Sequence, residues 1–98
     1  MAERVMIATI VTHPGKRDEL KAVFAEMFPV AAGEPGTLLY TLIEGDQPDT
    51  LYFYEHYTDQ AAMDAHMSGA TLSALRAKMG ALIASGDAVT GSVSSKIR

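Results

Sequence analysis

The sequence predicts a small α+β domain with the element order β-α-β-β-α-β. Two observations lead there. Four short runs are rich in β-branched and aromatic residues and are bounded by Gly, Pro and Asp, the pattern of strands. Between the first and second runs, and between the third and fourth, apolar residues recur at helical spacing. The length of 98 residues suits one domain, so residues 1–98 are read as a single unit.

Arg4 to Thr12 carries Val5, Ile7, Ile10 and Val11 with Thr9 and Thr12, a strand that His13-Pro14-Gly15 ends. Asp18 and Glu19 then complement the positive end of a helix dipole. Leu20, Val23, Phe24, Met27 and Ala31 form that helix's apolar stripe. Pro29 should kink or break it, because proline donates no backbone hydrogen bond. Glu34-Pro35-Gly36 is the turn out. Thr37 to Glu44 and Thr50 to Tyr57 are the second and third strands, and Gly45 to Asp49 joins them as a hairpin loop.

Thr58 or Asp59 can cap a short helix that reaches about Met67, where Ser68-Gly69 breaks it. A further helix is expected over Leu72 to Ser85, with Leu72, Leu75, Met79, Leu82 and Ile83 on one face and Gly86 as its stop. Ala88 to Ile97 is a weaker last strand, with Val89, Val93 and Ile97 on one side. The order is the ferredoxin-like split βαβ arrangement, an antiparallel sheet with helices on one face.

Such a sheet should alternate apolar and polar residues. These strands do not. Leu39 and Ile43 oppose Leu38, Tyr40 and Leu42; Leu51 and Phe53 oppose Tyr52 and Tyr54; Val5, Ile7 and Val11 oppose Met6, Ala8 and Ile10. Both faces are apolar, and the helices suffice for one. A twofold pair with its sheets face to face is the economical cover, so a homodimer through the sheet face is expected.

Composition narrows the function classes. Apolar residues make up 48% of the chain, too many for a disordered segment. No apolar run approaches the roughly 18 residues of a membrane span. Met1-Ala2-Glu3-Arg4 has neither a basic leader region nor an apolar signal core, which together with the absence of cysteine suggests a cytoplasmic protein. The net charge is −4 and the basic residues are scattered, so nucleic acid is not an expected partner.

There is no Gly-rich phosphate loop, no HExxH and no convincing zinc pattern among the three histidines. No cofactor and no metal are therefore expected. His13 in its turn reads as solvated, and His56 as a strand or interface residue. His66 differs: it lies one turn after Ala62, at the edge of a small apolar face that should meet the sheet, where an imidazole can titrate near neutral pH. Tyr40, Tyr52, Phe53, Tyr54 and Tyr57 cluster on two adjacent strands, and Met27, Met63, Met67 and Met79 offer an adaptable apolar lining.

Several pieces, in order, resemble the antibiotic-biosynthesis-monooxygenase family, including its quinol-monooxygenase members. They are Pro14-Gly15-Lys16 with Glu19-Leu20, then Glu34-Pro35-Gly36-Thr37-Leu38-Leu39-Tyr40, then Phe53-Tyr54-Glu55-His56-Tyr57, and Asp59-Gln60-Ala61-Ala62-Met63-Asp64-Ala65-His66. The resemblance spans most of the chain. It implies a dimeric α+β barrel with a pocket between sheet and helices in each subunit. Some relatives oxidise phenols or quinols with molecular oxygen and no metal or flavin; others degrade haem; others isomerise small metabolites. Haem-degrading relatives rely on Asn and Trp, and this chain has neither. The family's Trp after the third-strand Glu is Tyr57 here.

The expected activity is a cofactor-independent monooxygenase acting on a small phenolic or quinol-type substrate. A deprotonated phenol is electron-rich enough to reduce oxygen, and its pocket needs a base, an apolar lining and little water. His66 is the candidate base. Glu55 is placed to orient it or the substrate, Tyr57 to hydrogen-bond an oxygen, and Phe53, Tyr40 and Met63 to hold a ring. An isomerase or lyase using the same pocket, and a dimeric ligand-binding protein without turnover, remain open alternatives.

Overall fold

A computed structural model describes residues 2–98; Met1, read above with the N-terminal segment, lies outside the described residues. The elements are β1 (Arg4–Thr12), α1 (Arg17–Ala25), α2 (Phe28–Ala32), β2 (Thr37–Glu44), β3 (Thr50–Tyr57), α3 (Gln60–Met67), α4 (Ala70–Leu82) and β4 (Ile83–Ser92). The strands form one antiparallel sheet in the order β2-β3-β1-β4, the ferredoxin-like arrangement. Among the described residues no helix is long and apolar enough to cross a membrane.

The expected apolar stripe makes the core. Leu20, Phe24, Met27 and Ala31 are all buried, on α1, α2 and the turn between them. Pro29 does not kink one long helix. The break comes earlier, and Pro29 sits in the first turn of α2, where a missing N–H costs nothing because that donor has no helical partner. Phe24 and Phe53 meet edge to face at 4.8 Å, a geometry worth about 0.5–1.5 kcal/mol beyond area burial. Ile10, Leu51 and Leu82 complete this cluster, and Met27, Leu72 and Leu75 form a second.

Two expectations near the C-terminal end are corrected. The last helix stops at Leu82 and β4 begins at Ile83, so Gly86 is a strand residue opposite Ile10 and not a helix stop. The Leu82 carbonyl accepts from the His13 N–H at 2.9 Å, which holds the end of α4 against the turn after β1. Ile97 lies beyond the strand and is exposed.

On the sheet, Tyr40, Leu42, Phe53, Glu55, Ala8 and Ile10 share the helix-covered side, as the alternation predicts. Leu38 does not join them. The β2–β3 register shifts between Thr37 and Leu39, and Leu38 is exposed. A bulge of this kind resets the period-two pattern from which its side was inferred.

Candidate active site

The inward positions of β1 and β4 are unusually small. Ala8 pairs with Ala88 and Ile10 with Gly86, so little side-chain volume rises from this part of the sheet towards α4. The result is a cavity of about 310 Å³ between sheet and helices, the size of a small-molecule site. Its floor includes Met6, Ala8, Ile10, Tyr40, Phe53, Glu55 and Ala88; Phe24, His66, Met67, Leu72 and Met79 close it from the helices. The walls are apolar except for Tyr40, Glu55, His66 and Asp87 at the β4 side.

Three segments bring the polar groups together. Asp59 caps α3 by accepting from the Ala62 N–H at 2.8 Å, which starts the helix so that His66 faces the sheet. Gly36, entering β2, lies hard against α3: a side chain there would put its Cβ 2.4 Å from that of Ala62. That closeness carries Glu34 to the ring. His66 Nδ1 lies 2.7 Å from Glu34 Oε1, which also accepts from the Thr37 hydroxyl at 3.0 Å. A carboxylate already accepting from Thr37 assigns the ring hydrogen to Nδ1, leaving the Nε2 lone pair for the cavity side.

Nε2 lies 3.8 Å from Glu55 Oε1, too far for a hydrogen bond. Glu55 accepts instead from the buried Tyr57 hydroxyl. Burial pushes the Glu55 carboxyl above the usual carboxylate range, against the opposing pull of the Tyr57 bond and of His66. Burial likewise raises both the Tyr40 and the Tyr57 phenols, with Glu55 adding to each, so both hydroxyls stay protonated, and that of Tyr57 donates to Glu55. The Tyr40 ring sits 5.1 Å and the Tyr57 ring 5.6 Å from the imidazole, enclosing a side chain that is only 2% exposed.

The residues singled out from the sequence thus fall into two groups. His66, Glu55, Phe53 and Tyr40 line the cavity. Tyr57 and Met63 do not: Tyr57 stands behind Glu55 as its donor, and Met63 is buried on α3 outside the lining. Tyr57, expected to hydrogen-bond a substrate oxygen, has its hydroxyl committed to Glu55, and Met63, expected to hold a ring, is set back from the wall. Glu34 was missed, because a Glu in a Glu-Pro-Gly turn reads as a loop residue and its partner is 32 positions away. Among the described residues no group of three or more His, Asp or Glu side chains is arranged to hold a metal ion.

Known proteins resemble the chain at the level of fold and family. It superposes on protein SO0527 from Shewanella oneidensis with TM-score 0.87 and 26% identity, covering 94% of this chain and 91% of that one. For PA3566 from Pseudomonas aeruginosa the TM-score is 0.88 and the identity 21%, with 97% of each chain covered. A candidate antibiotic biosynthesis monooxygenase from Caulobacter crescentus CB15 gives TM-score 0.84 and 26% identity over 98% of this chain and 92% of its own. No curated protein sequence matches the chain. The sequence profile of the antibiotic biosynthesis monooxygenases matches residues 4–78, from β1 through most of α4, and the chain belongs to that family.

Proposed function

We propose that the cavity is the active site of a cofactor-independent monooxygenase for a small phenolic or quinol-type substrate. The observation that carries this reading is the pair His66 and Glu55 in a mostly apolar chamber, with Asp87 at its β4 side. Their facing atoms, 3.8 Å apart, leave room for one substrate oxygen about 2.8 Å from both. A hydroxyl there can give its proton to Nε2 with the Glu55 carboxyl, which burial pushes up, beside the same oxygen. Tyr40 and Phe53, with ring centroids 4.8 Å apart, offer an aromatic wall. Oxygen, being apolar, partitions readily into such a lining.

For a 1,4-hydroquinone the reaction balances without any added reductant. Loss of the hydroxyl proton makes the ring a one-electron donor to oxygen; recombination forms a carbon–oxygen bond as a ring hydroperoxide. Cleavage of the O–O bond with loss of water leaves a hydroxyquinone. One oxygen atom stays on the ring, the other leaves as water, and the substrate supplies all four electrons. Holding the anion in a dry site and positioning a base for its proton are the protein's contributions.

The same reading includes a twofold dimer. Ile7, Leu39, Ile43 and Val89 are 43–57% exposed, and the strand register sets them beside Tyr52 and Tyr54 on the sheet face opposite the helices. A partner's equivalent face covers this apolar area by an isologous contact.

Oxygen uptake with a panel of substituted 1,4-hydroquinones tests the reaction. One oxygen consumed per quinol, with a hydroxyquinone product and no peroxide, is the expected result. Peroxide formation or no uptake above the protein-free rate counts against it. Solvent deuterium entering a carbonyl compound without oxygen uptake would support the isomerase alternative instead.

A further inference from the structure

His66 lines two openings. On one side is the cavity between sheet and helices, which opens along β4 where Gly86, Asp87 and Ala88 are exposed; on the other is a surface depression of about 410 Å³ between the entry to β2 and α3, bordered by Glu34, Gly36, Thr58, Asp59, Ala62 and His66. The ring therefore forms part of the wall between the cavity and the outer surface. Glu34 stands on the outer side, with its side chain 26% exposed, while the imidazole is 2% exposed. Oε1 of Glu34 is held by His66 Nδ1 and Thr37, and Oε2 has no protein partner among the described residues.

We propose that Glu34 and His66 form a proton relay through the wall, in which Glu34 stores the substrate's proton and exchanges it with solvent in the outer depression. The proposal rests on the reading that a substrate hydroxyl is deprotonated in the cavity. Nε2 takes that proton; Nδ1 passes its own hydrogen across the 2.7 Å bond to Glu34 Oε1, and the ring remains neutral throughout as its tautomer switches. When the hydroperoxide loses water, the leaving oxygen takes the Nε2 proton and Glu34 returns one to Nδ1. The cycle closes with no net proton gained or lost.

The geometry explains why two carboxyls flank one imidazole. Glu55 is buried and contacts Tyr57, and Tyr40, which packs on the ring face from β2, makes no hydrogen bond to the imidazole. Glu34 alone among these groups reaches both the ring and the surface. It touches no substrate, so its role is positional: it keeps His66 in the receptive tautomer and empties it.

Glu34→Gln tests the relay, since the amide oxygen still accepts from Nδ1 and Thr37 but holds no proton. The first readout needs no turnover. Nuclear magnetic resonance of the ring nitrogens in the unliganded protein reports how fast the His66 ring hydrogen exchanges with solvent. The relay predicts slowing by about 10-fold or more in Glu34→Gln, and recovery in Glu34→Ala on adding formate, which fits the depression. Exchange as fast as in the wild type overturns the proposal, as does slowing that formate leaves unchanged. The second readout is turnover with the hydroquinone panel, where kcat falls about 10²-fold with KM nearly constant. Slowed exchange with formate rescue in a protein that consumes no oxygen keeps the relay and removes the monooxygenase reading. Full turnover with unchanged exchange does the reverse.

Discussion

The two faces of the sheet each carry a histidine paired with a glutamate at similar distance, and the two pairs differ in what surrounds them. On the open face His56 Nε2 meets Glu3 Oε1 at 2.5 Å, and Lys96 reaches both Glu3 oxygens at 3.0 Å. Lys96 is exposed at the rim of that cluster, and its glutamate, held low by Lys96 and then His56, prefers to be charged. On the covered face His66 is enclosed by Tyr40 and Tyr57 and faces a second carboxyl that burial pushes up. Lys96 neutralises the first glutamate; among the described residues no lysine or arginine pairs with Glu34, and its imidazole partner faces a second, buried carboxyl, a setting in which proton affinities matter to chemistry. The same residue pair serves chain anchoring on one side and, in our reading, proton transfer on the other.

The contrast is sharpest where a charge is placed on the open face. Ile7→Lys sets like charges across the proposed twofold contact, which costs several kcal/mol. The dimer should weaken by about 10²-fold or more, seen as a halving of mass in light scattering at micromolar concentration, while helical circular dichroism persists. A wild-type protein that is already monomeric there removes the interface.

Gly36→Ala should come next. The new Cβ meets Ala62, which cannot retreat without moving α3. Overpacking of this kind costs about 1–3 kcal/mol, and the displaced helix should separate His66 from Glu34. Thermal unfolding measures the first effect and the His66 ring-nitrogen shifts the second.

Glu55→Gln isolates the buried carboxyl through pH. Its folded-state pKa is raised, so the folded protein holds that proton more tightly than the unfolded chain does. Its contribution is most favourable at low pH and is lost as pH rises from about 4.5, the unfolded value, through the raised folded value. Glu55→Gln lacks this term, so its stability relative to wild type should climb across that window. Denaturant unfolding at a series of pH values gives the difference, and a flat difference contradicts a raised Glu55.

Lys96→Ala should have the smallest effect. Glu3 is depressed and solvated, so its pair contributes above about 4.5 and fades as pH falls, and removing one solvated partner should leave the unfolding midpoint nearly unchanged.

The fold was legible because its signals are local and agree with one another: turn residues at Pro14-Gly15 and Gly45–Asp49, the Leu20–Ala31 stripe, and strands apolar on both faces. The end of α4 was not legible. Leu82 and Ile83 continue the helical spacing, and what turns the chain is pairing of β4 with β1, a long-range contact. Within the site, His66 was visible from its place beside Ala62 and Ala65. Its partner Glu34 was hidden because the contact depends on Gly36 packing against α3. The cavity had one overlooked signal, the small residues Ala8, Gly86 and Ala88 at inward positions, which becomes readable only once the β1–β4 register is known.

The central claim is that His66 is the base of a reaction carried out in the interior cavity. Oxygen consumption per folded dimer, compared between wild type and His66→Ala on the best hydroquinone, tests it most directly. The account predicts a loss of about 10²–10⁴-fold in rate with mass and circular dichroism preserved. Turnover within a factor of about two of wild type in a folded, dimeric His66→Ala protein, too small a change for loss of a general base, would contradict it.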